Sequence, residues 1–125
     1  MTESTVVAHP DLNRPYVLHT DASDRAIGAV LSQRDAHGKE RVISYYSSKL
    51  SEAQQRWSTI EKEALAVVQS LRKFDACLHG ADITIRTDHK PLRSLFSAEI
   101  RNTKLQRWAI QISEYNPRIE YTPGG

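Results

Sequence analysis

The sequence predicts one α/β domain in which a mixed sheet of five strands carries helices on its faces. Three observations indicate this fold class. Three short segments near the start are rich in apolar residues and bounded by turn signals, which is typical of strands. The pattern then changes to a helical period, and later it returns to strands that alternate with helices. A chain of 125 residues has a suitable length for one such domain with one core.

The early strands form a predicted meander. We expect strands at residues 16–20, 26–33 and 41–47, separated by short polar turns. Because short turns join neighbouring strands, these three strands should pair antiparallel. We expect residues 1–14 to be irregular, and they end at a turn signal, Asn13-Arg14-Pro15.

A helical pattern follows the meander. Ser51 is a plausible N-cap, and Thr59 either caps a second helix or lies within one long helix. Apolar residues then recur at intervals of four and three, which places them on one helix face. Gly80 is expected to end this segment. The stripe consists of Ile60, Ala64, Val67, Leu71, Phe74 and Leu78.

The rest of the chain alternates strands and helices. We expect a strand over residues 82–87, a short helix that begins at Lys90, a helix over 103–114 and a last strand over 118–121. The order β-β-β-α-β-α-α-β predicts a sheet that is antiparallel on one side and parallel on the other.

Composition and charge exclude some classes of protein. The chain is 39% hydrophobic and 26% charged, which is ordinary for a folded domain. No apolar run approaches the roughly 18 residues of a membrane span, so we expect no membrane partner. The single cysteine fits a reducing compartment and excludes a zinc site built from several thiolates. The net charge of +2 does not by itself indicate nucleic-acid binding, and the basic clusters are also compatible with a solvated face.

Two aspartates follow predicted strands directly. Asp21 comes after residues 16–20, and Asp88 comes after residues 82–87. If those strands are neighbours, both carboxylates lie on one patch, where they repel each other unless a cation or a proton intervenes. The alternative is that each aspartate caps a turn, or that Asp88 is the N-cap of the next helix.

The helix phase selects a third carboxylate. At about 100° per residue, Glu63 lies about 60° from the centre of the apolar stripe, whereas Glu61 lies about 100° away and Lys62 is nearly opposite. Glu63 can therefore lean toward the sheet, and Glu61 is expected to face solvent near the helix start. Two Asp and one Glu form a hard, all-oxygen ligand set that suits Mg²⁺ or Mn²⁺. The alternative is that Glu63, taken alone, is an ordinary surface residue.

Several short sequence motifs resemble those of the RNase H domain of Ty3/gypsy-type retrotransposon polyproteins. The resemblance covers about residues 6–125, and its pieces occur in the family's order and spacing. They are residues 19–23 (HTDAS), 27–33 (IGAVLSQ), 44–50 (SYYSSKL), 57–68 (WSTIEKEALAVV), 78–80 (LHG), 87–92 (TDHKPL), 107–108 (RW) and 121–124 (YTPG).

The resemblance implies an RNase H-like fold and metal-dependent cleavage of the RNA strand in RNA/DNA hybrids. Asp21, Glu63 and Asp88 match the family's metal-binding carboxylates, which hold two Mg²⁺ or Mn²⁺ ions. The resemblance further implies a polymerase domain in the same polyprotein. Residues 1–14 would be the tail of the connecting segment, and residues 15–125 the RNase H-like domain. We expect an intracellular location, in a cytoplasmic particle or in the nucleus.

The sequence departs from the family at its end. In the family, a further helix after the Pro-Gly segment carries a fourth acidic residue, and this chain stops at Gly125. We therefore expect the C-terminal helix to be missing and the activity of the isolated chain to be reduced. The alternative is a retroelement remnant that serves as a non-catalytic nucleic-acid-binding or scaffold module.

Substrate contacts are expected close to the aspartates in sequence. Ser23, His89, Lys90 and Arg93 are candidates for contacts with phosphates of the bound strand. A hybrid differs from plain DNA in its 2′-hydroxyls and in its groove shape, which such residues would read. Trp108 shares a helical spacing with Leu105 and Ile112, which favours packing in the core over stacking on a base.

Overall fold

The computed structural model describes residues 2–88 and 102–121. Within them lie six strands, which form one sheet, and four helices. The elements are β1 (Thr2–Val6), β2 (Tyr16–Ala22), β3 (Ala26–Arg34), β4 (Glu40–Lys49), α1 (Glu52–Gln55), α2 (Thr59–Lys73), α3 (Asp75–Leu78), β5 (Ile83–Thr87), α4 (Thr103–Ser113) and β6 (Arg118–Tyr121).

The sheet is mixed, as the sequence predicts. Its strand order is β1-β4-β3-β2-β5-β6. The strands from β1 to β2 in this order pair antiparallel, whereas β5 pairs parallel with both β2 and β6. The parallel pairing of β2 with β5 sets the carboxyl ends of these two strands side by side.

The predicted number of five strands is wrong by one. The extra strand, β1, lies in the segment that was expected to be irregular and pairs antiparallel with β4 at the edge of the sheet. An edge strand is held by backbone hydrogen bonds on one side, so the polar sequence TEST needs no apolar alternation to form it. The Ile43 carbonyl then accepts hydrogen bonds from the N–H groups of Val7 and Ala8.

The connection between β1 and β2 is held by the side chain of Gln33. This side chain is 4% exposed. Its Oε1 accepts from the Asp11 N–H at 2.8 Å, and its Nε2 donates to the carbonyls of Asp11 at 2.7 Å and Arg14 at 3.1 Å. Residues 11–14 are therefore fastened to β3 rather than loosely attached.

Two capping boxes begin the helical segment. Ser51 caps α1 and exchanges hydrogen bonds with Gln54, as expected for this N-cap. Ser58, and not Thr59, caps α2 and forms the same arrangement with Glu61. The long apolar stripe is divided at Phe74, where α2 ends and the short α3 begins.

The core lies between the sheet and α2. The inward face of α2 packs on β2 and β3, and α4 packs on α2. Trp108 is 8% exposed, which agrees with its predicted place in the core. No helix among the described residues is long and apolar enough to span a membrane. The predicted helix that begins at Lys90 lies outside the described residues. The largest fully buried side chains include Tyr16, Leu18, Leu31, Leu71, Leu78, Ile83, Ile85 and Ile112.

Candidate active site

Two neighbouring strands deliver two aspartates to one edge of the sheet. β2 and β5 run parallel, and Thr20 lies opposite Thr87 in their register. Both threonines are fully buried, and the next residue in each strand direction is an exposed aspartate, Asp21 or Asp88. The expected side-by-side placement of these strands is thus confirmed.

Glu63 approaches the aspartates from the second turn of α2. One carboxylate oxygen from each of Asp21, Glu63 and Asp88 lies within 4.8 Å of the other two. Glu63 is only 4% exposed, because α2 packs on β2 and β3 at this point. We call these three residues the carboxylate trio.

The electrostatics of the trio favour an added cation. Burial, followed by the charges of Asp21 and Asp88, raises the pKa of Glu63 from 4.5 to about 7. Glu63 Oε2 is buried and has no hydrogen-bond partner among the described residues. Such an orphaned oxygen between two other carboxylates is a natural ligand position for a divalent ion. The all-oxygen donor set fits Mg²⁺ or Mn²⁺.

Glu61 lies outside the trio, as the helix phase predicts, but it does not face solvent. Its Oε2 lies 2.8 Å from Lys104 Nζ and accepts from Asn102 Nδ2 at 3.3 Å. The hydrogen bond from Lys104 is the largest cause that lowers the pKa of Glu61 to about 2. The expectation of a solvent-facing charge is wrong because the start of α4 lies against this turn of α2. Lys104 also lies 3.4 Å from the centre of the Trp57 ring.

Ser23 lies in the turn between β2 and β3, beside the trio. Its Oγ accepts from the N–H groups of Arg25 and Ala26 and donates to the Ala26 carbonyl. In the structure its hydroxyl is therefore engaged within the turn, and its contact with substrate stays a prediction. His89, Lys90 and Arg93, the other predicted substrate contacts, lie outside the described residues.

Sequence reasoning missed the burial of Lys62 beside the trio. The helix phase placed it nearly opposite the buried stripe, yet it is 7% exposed. The β2–β3 turn lies over this side of α2, and residues of both line one cleft that reaches Glu63. No period within α2 reveals a covering turn from another part of the chain, so the sequence offered no signal. The cleft is lined by Ala22, Ser23, Asp24, Thr59, Lys62 and Glu63.

Comparison with known families identifies the class that this fold and this site define. The model of the RNase H-like domain found in reverse transcriptase matches residues 11–115. The chain therefore belongs to this family.

Curated relatives specify the branch of the family. The chain is 44% identical to the retrovirus-related Pol polyprotein from transposon opus of Drosophila melanogaster over 99% of its length. It is 38% identical to the corresponding gypsy polyprotein of the same species over 98%, and 39% identical to the Tf2-3 polyprotein of Schizosaccharomyces pombe over 95%. It is thus an RNase H-like domain of the Ty3/gypsy type. It spans only 12%, 12% and 9% of these relatives, respectively.

Solved structures show the same fold at low sequence identity. The foamy viral protease-reverse transcriptase in complex with RNA/DNA hybrid matches 90% of this chain and 16% of its own, with a TM-score of 0.69 and 16% identity. The RNase H1 of Halobacterium salinarum matches 87% of this chain and 86% of its own, with a TM-score of 0.63 and 15% identity. The RNase H-like fold predicted from the sequence is confirmed.

Proposed function

We propose that this chain is a metal-dependent endonuclease that cleaves the RNA strand of RNA/DNA hybrids, as part of a retrotransposon reverse transcriptase polyprotein. The carboxylate trio carries the proposal, because its oxygens converge within 4.8 Å and leave a buried oxygen without a partner. The relatives that match almost the whole chain are Pol polyproteins, and one structural neighbour holds an RNA/DNA hybrid. In this proposal, residues 1–14 connect to a polymerase and residues 15–125 form the nuclease.

The proposed reaction assigns the three residues of the trio to metal binding. Asp21 and Asp88, on adjacent strand ends, and Glu63, on α2, would hold two Mg²⁺ or Mn²⁺ ions. Such ions supply an activated water and a counter-charge for the leaving oxygen. Glu63 must lose its proton to take part, and its pKa of about 7 places that step near neutral pH. The rigid sheet and helix fix the three carboxylates before substrate arrives.

A strand-specific cleavage assay tests the proposal. The chain is incubated with Mg²⁺ or Mn²⁺ and with an RNA/DNA hybrid, an RNA duplex or a DNA duplex, each labelled on both strands. We expect cleavage of the RNA strand of the hybrid alone. Asp88→Asn should lower the rate at least 100-fold, because it removes a metal ligand while it preserves the shape of the side chain.

A matched control lies at the other end of β5. Asp82 is exposed and lies 3.8 Å from Arg118, so Asp82→Asn changes charge equally without touching the trio. This variant should cleave at the wild-type rate. Equal losses in both variants, or no metal-dependent cleavage by the wild type, would contradict the nuclease proposal. Salt-sensitive binding of the hybrid without cleavage would instead support a non-catalytic binding module.

A further inference from the structure

We propose that Lys62 binds a phosphate of the nucleic-acid strand that lies in the cleft beside the carboxylate trio. The proposal rests on the hybrid-binding function above and adds a contact residue to it. Three observations lead to it: the burial of the Lys62 side chain, the shortage of acceptors around its ammonium group, and its place in the wall of the cleft.

The side chain of Lys62 is more deeply buried than is usual for a lysine with so few polar partners. Its side chain is 9% exposed, although an ammonium group loses much favourable solvation when it leaves water. A buried lysine normally compensates with close acceptors. Among the described residues, however, Nζ contacts a single acceptor, Asp24 Oδ1, at 3.5 Å.

The contact with Asp24 satisfies only part of the ammonium group. Nζ carries three N–H donors, and a distance of 3.5 Å is at the outer limit of a hydrogen bond. Asp24 itself is fully exposed, so water screens its charge. Lys62 therefore retains donor capacity that an oxygen-rich anion can use.

The location of Lys62 indicates that this anion is a phosphate of the bound strand. Lys62 and Glu63 line the same cleft from α2, and Asp24 and Ser23 line it from the β2–β3 turn. In the proposed complex, the strand that places one phosphodiester at the trio carries a neighbouring phosphate into this cleft. Acidic groups dominate the site, so a cation at this position offsets their repulsion of the backbone. In the free protein Asp24 holds the ammonium group in place, and in the complex Asp24 competes with the phosphate.

This arrangement predicts opposite effects for the two partners of one ion pair. Lys62→Met keeps the length of the side chain but removes the charge, so hybrid binding should weaken by about tenfold, as for one charged hydrogen bond. Asp24→Asn removes the competing carboxylate, so binding should tighten severalfold. If the ion pair served only to hold the β2–β3 turn against α2, both variants would weaken binding.

The experiment measures binding of a labelled RNA/DNA hybrid at several NaCl concentrations, in Mg²⁺, with Asp88→Asn in every protein to prevent cleavage. Loss of one phosphate contact should reduce the slope of log K against log [NaCl] by about 0.9. Lys62→Arg should restore the slope. Lys73→Met removes an equal charge from the far end of α2 and should leave the slope unchanged.

The outcomes separate this proposal from the one on which it rests. If the parent protein does not bind the hybrid, the proposed function fails. If the parent binds and Lys62→Met changes neither affinity nor slope, only the role of Lys62 is overturned. Weaker binding by Asp24→Asn also overturns that role, and this result stands even if Lys62→Met fails to fold.

Discussion

Replacement of Glu63 by glutamine should stabilise the metal-free protein while it removes a metal ligand. The pKa of Glu63 is about 7, against an ordinary value of 4.5. The native protein therefore keeps a proton that the unfolded chain releases as the pH rises from 4.5 to 7. The stability linked to this proton is fully present below pH 4.5 and is lost by about pH 7.

The structure gives the size of this effect. A pKa raised from 4.5 to about 7 corresponds to about 3 kcal/mol, and screening by water in the cleft reduces our expectation to about 2 kcal/mol at pH 8. Glutamine carries no charge to bury, and its amide can donate to the carboxylates of Asp21 and Asp88. We therefore expect Glu63→Gln to be about 2 kcal/mol more stable than the wild type at pH 8.

Urea unfolding in the presence of a chelator measures the difference. Trp57 and Trp108 provide the fluorescence signal, since one is half-buried and the other buried. With a slope near 2 kcal/mol per molar urea, the midpoint of Glu63→Gln should lie about 1 M higher at pH 8. The difference should nearly vanish at pH 4. A variant that is no more stable than wild type at pH 8, or equally stabilised at both pH values, would refute this reasoning.

Two further predictions concern contacts outside the trio. Glu61→Gln weakens the ion pair with Lys104 and should destabilise the protein by about 1 kcal/mol at pH 7, because most of the lowered pKa is screened near the surface. This contribution is present above pH 4.5 and is lost as the pH falls toward 2, so unfolding curves of wild type and variant should converge at pH 2; a constant difference contradicts it. Gln33→Met removes the hydrogen bonds that hold residues 11–14 and should cost about 2 kcal/mol locally, seen as faster hydrogen exchange of the Asp11 amide. Unchanged exchange would show that other contacts hold this segment.

The sequence predicts the elements that make the site, because their patterns depend on burial. β2 begins with a buried apolar run and β5 has buried residues at alternate positions, so the predicted ends of both strands agree with the structure to within two residues. Glu63 was distinguished from Glu61 by helix phase alone, and the structure places it in the trio. The strand patterns and the helix phase could be predicted because each arises within one element that buries one of its faces.

The features that escaped prediction depend on other parts of the chain. β1 forms through backbone pairing with β4, which leaves no apolar signature in residues 2–6. Lys62 is buried by the β2–β3 turn, and Glu61 is paired with the start of α4. Each of these contacts joins residues that are distant in sequence, so a period within one element cannot reveal them.

The central claim is that Asp21, Glu63 and Asp88 form one divalent-metal site, and Mn²⁺ binding measured by electron paramagnetic resonance tests it most directly. The wild type should bind Mn²⁺ about tenfold more tightly at pH 8 than at pH 6, because the proton on Glu63 competes with the metal below its pKa of about 7. The Asp21→Asn, Asp88→Asn double variant should lose this binding, and Asp82→Asn should retain it. Binding that is unchanged in the double variant, or absent from the wild type at pH 8, would contradict the claim.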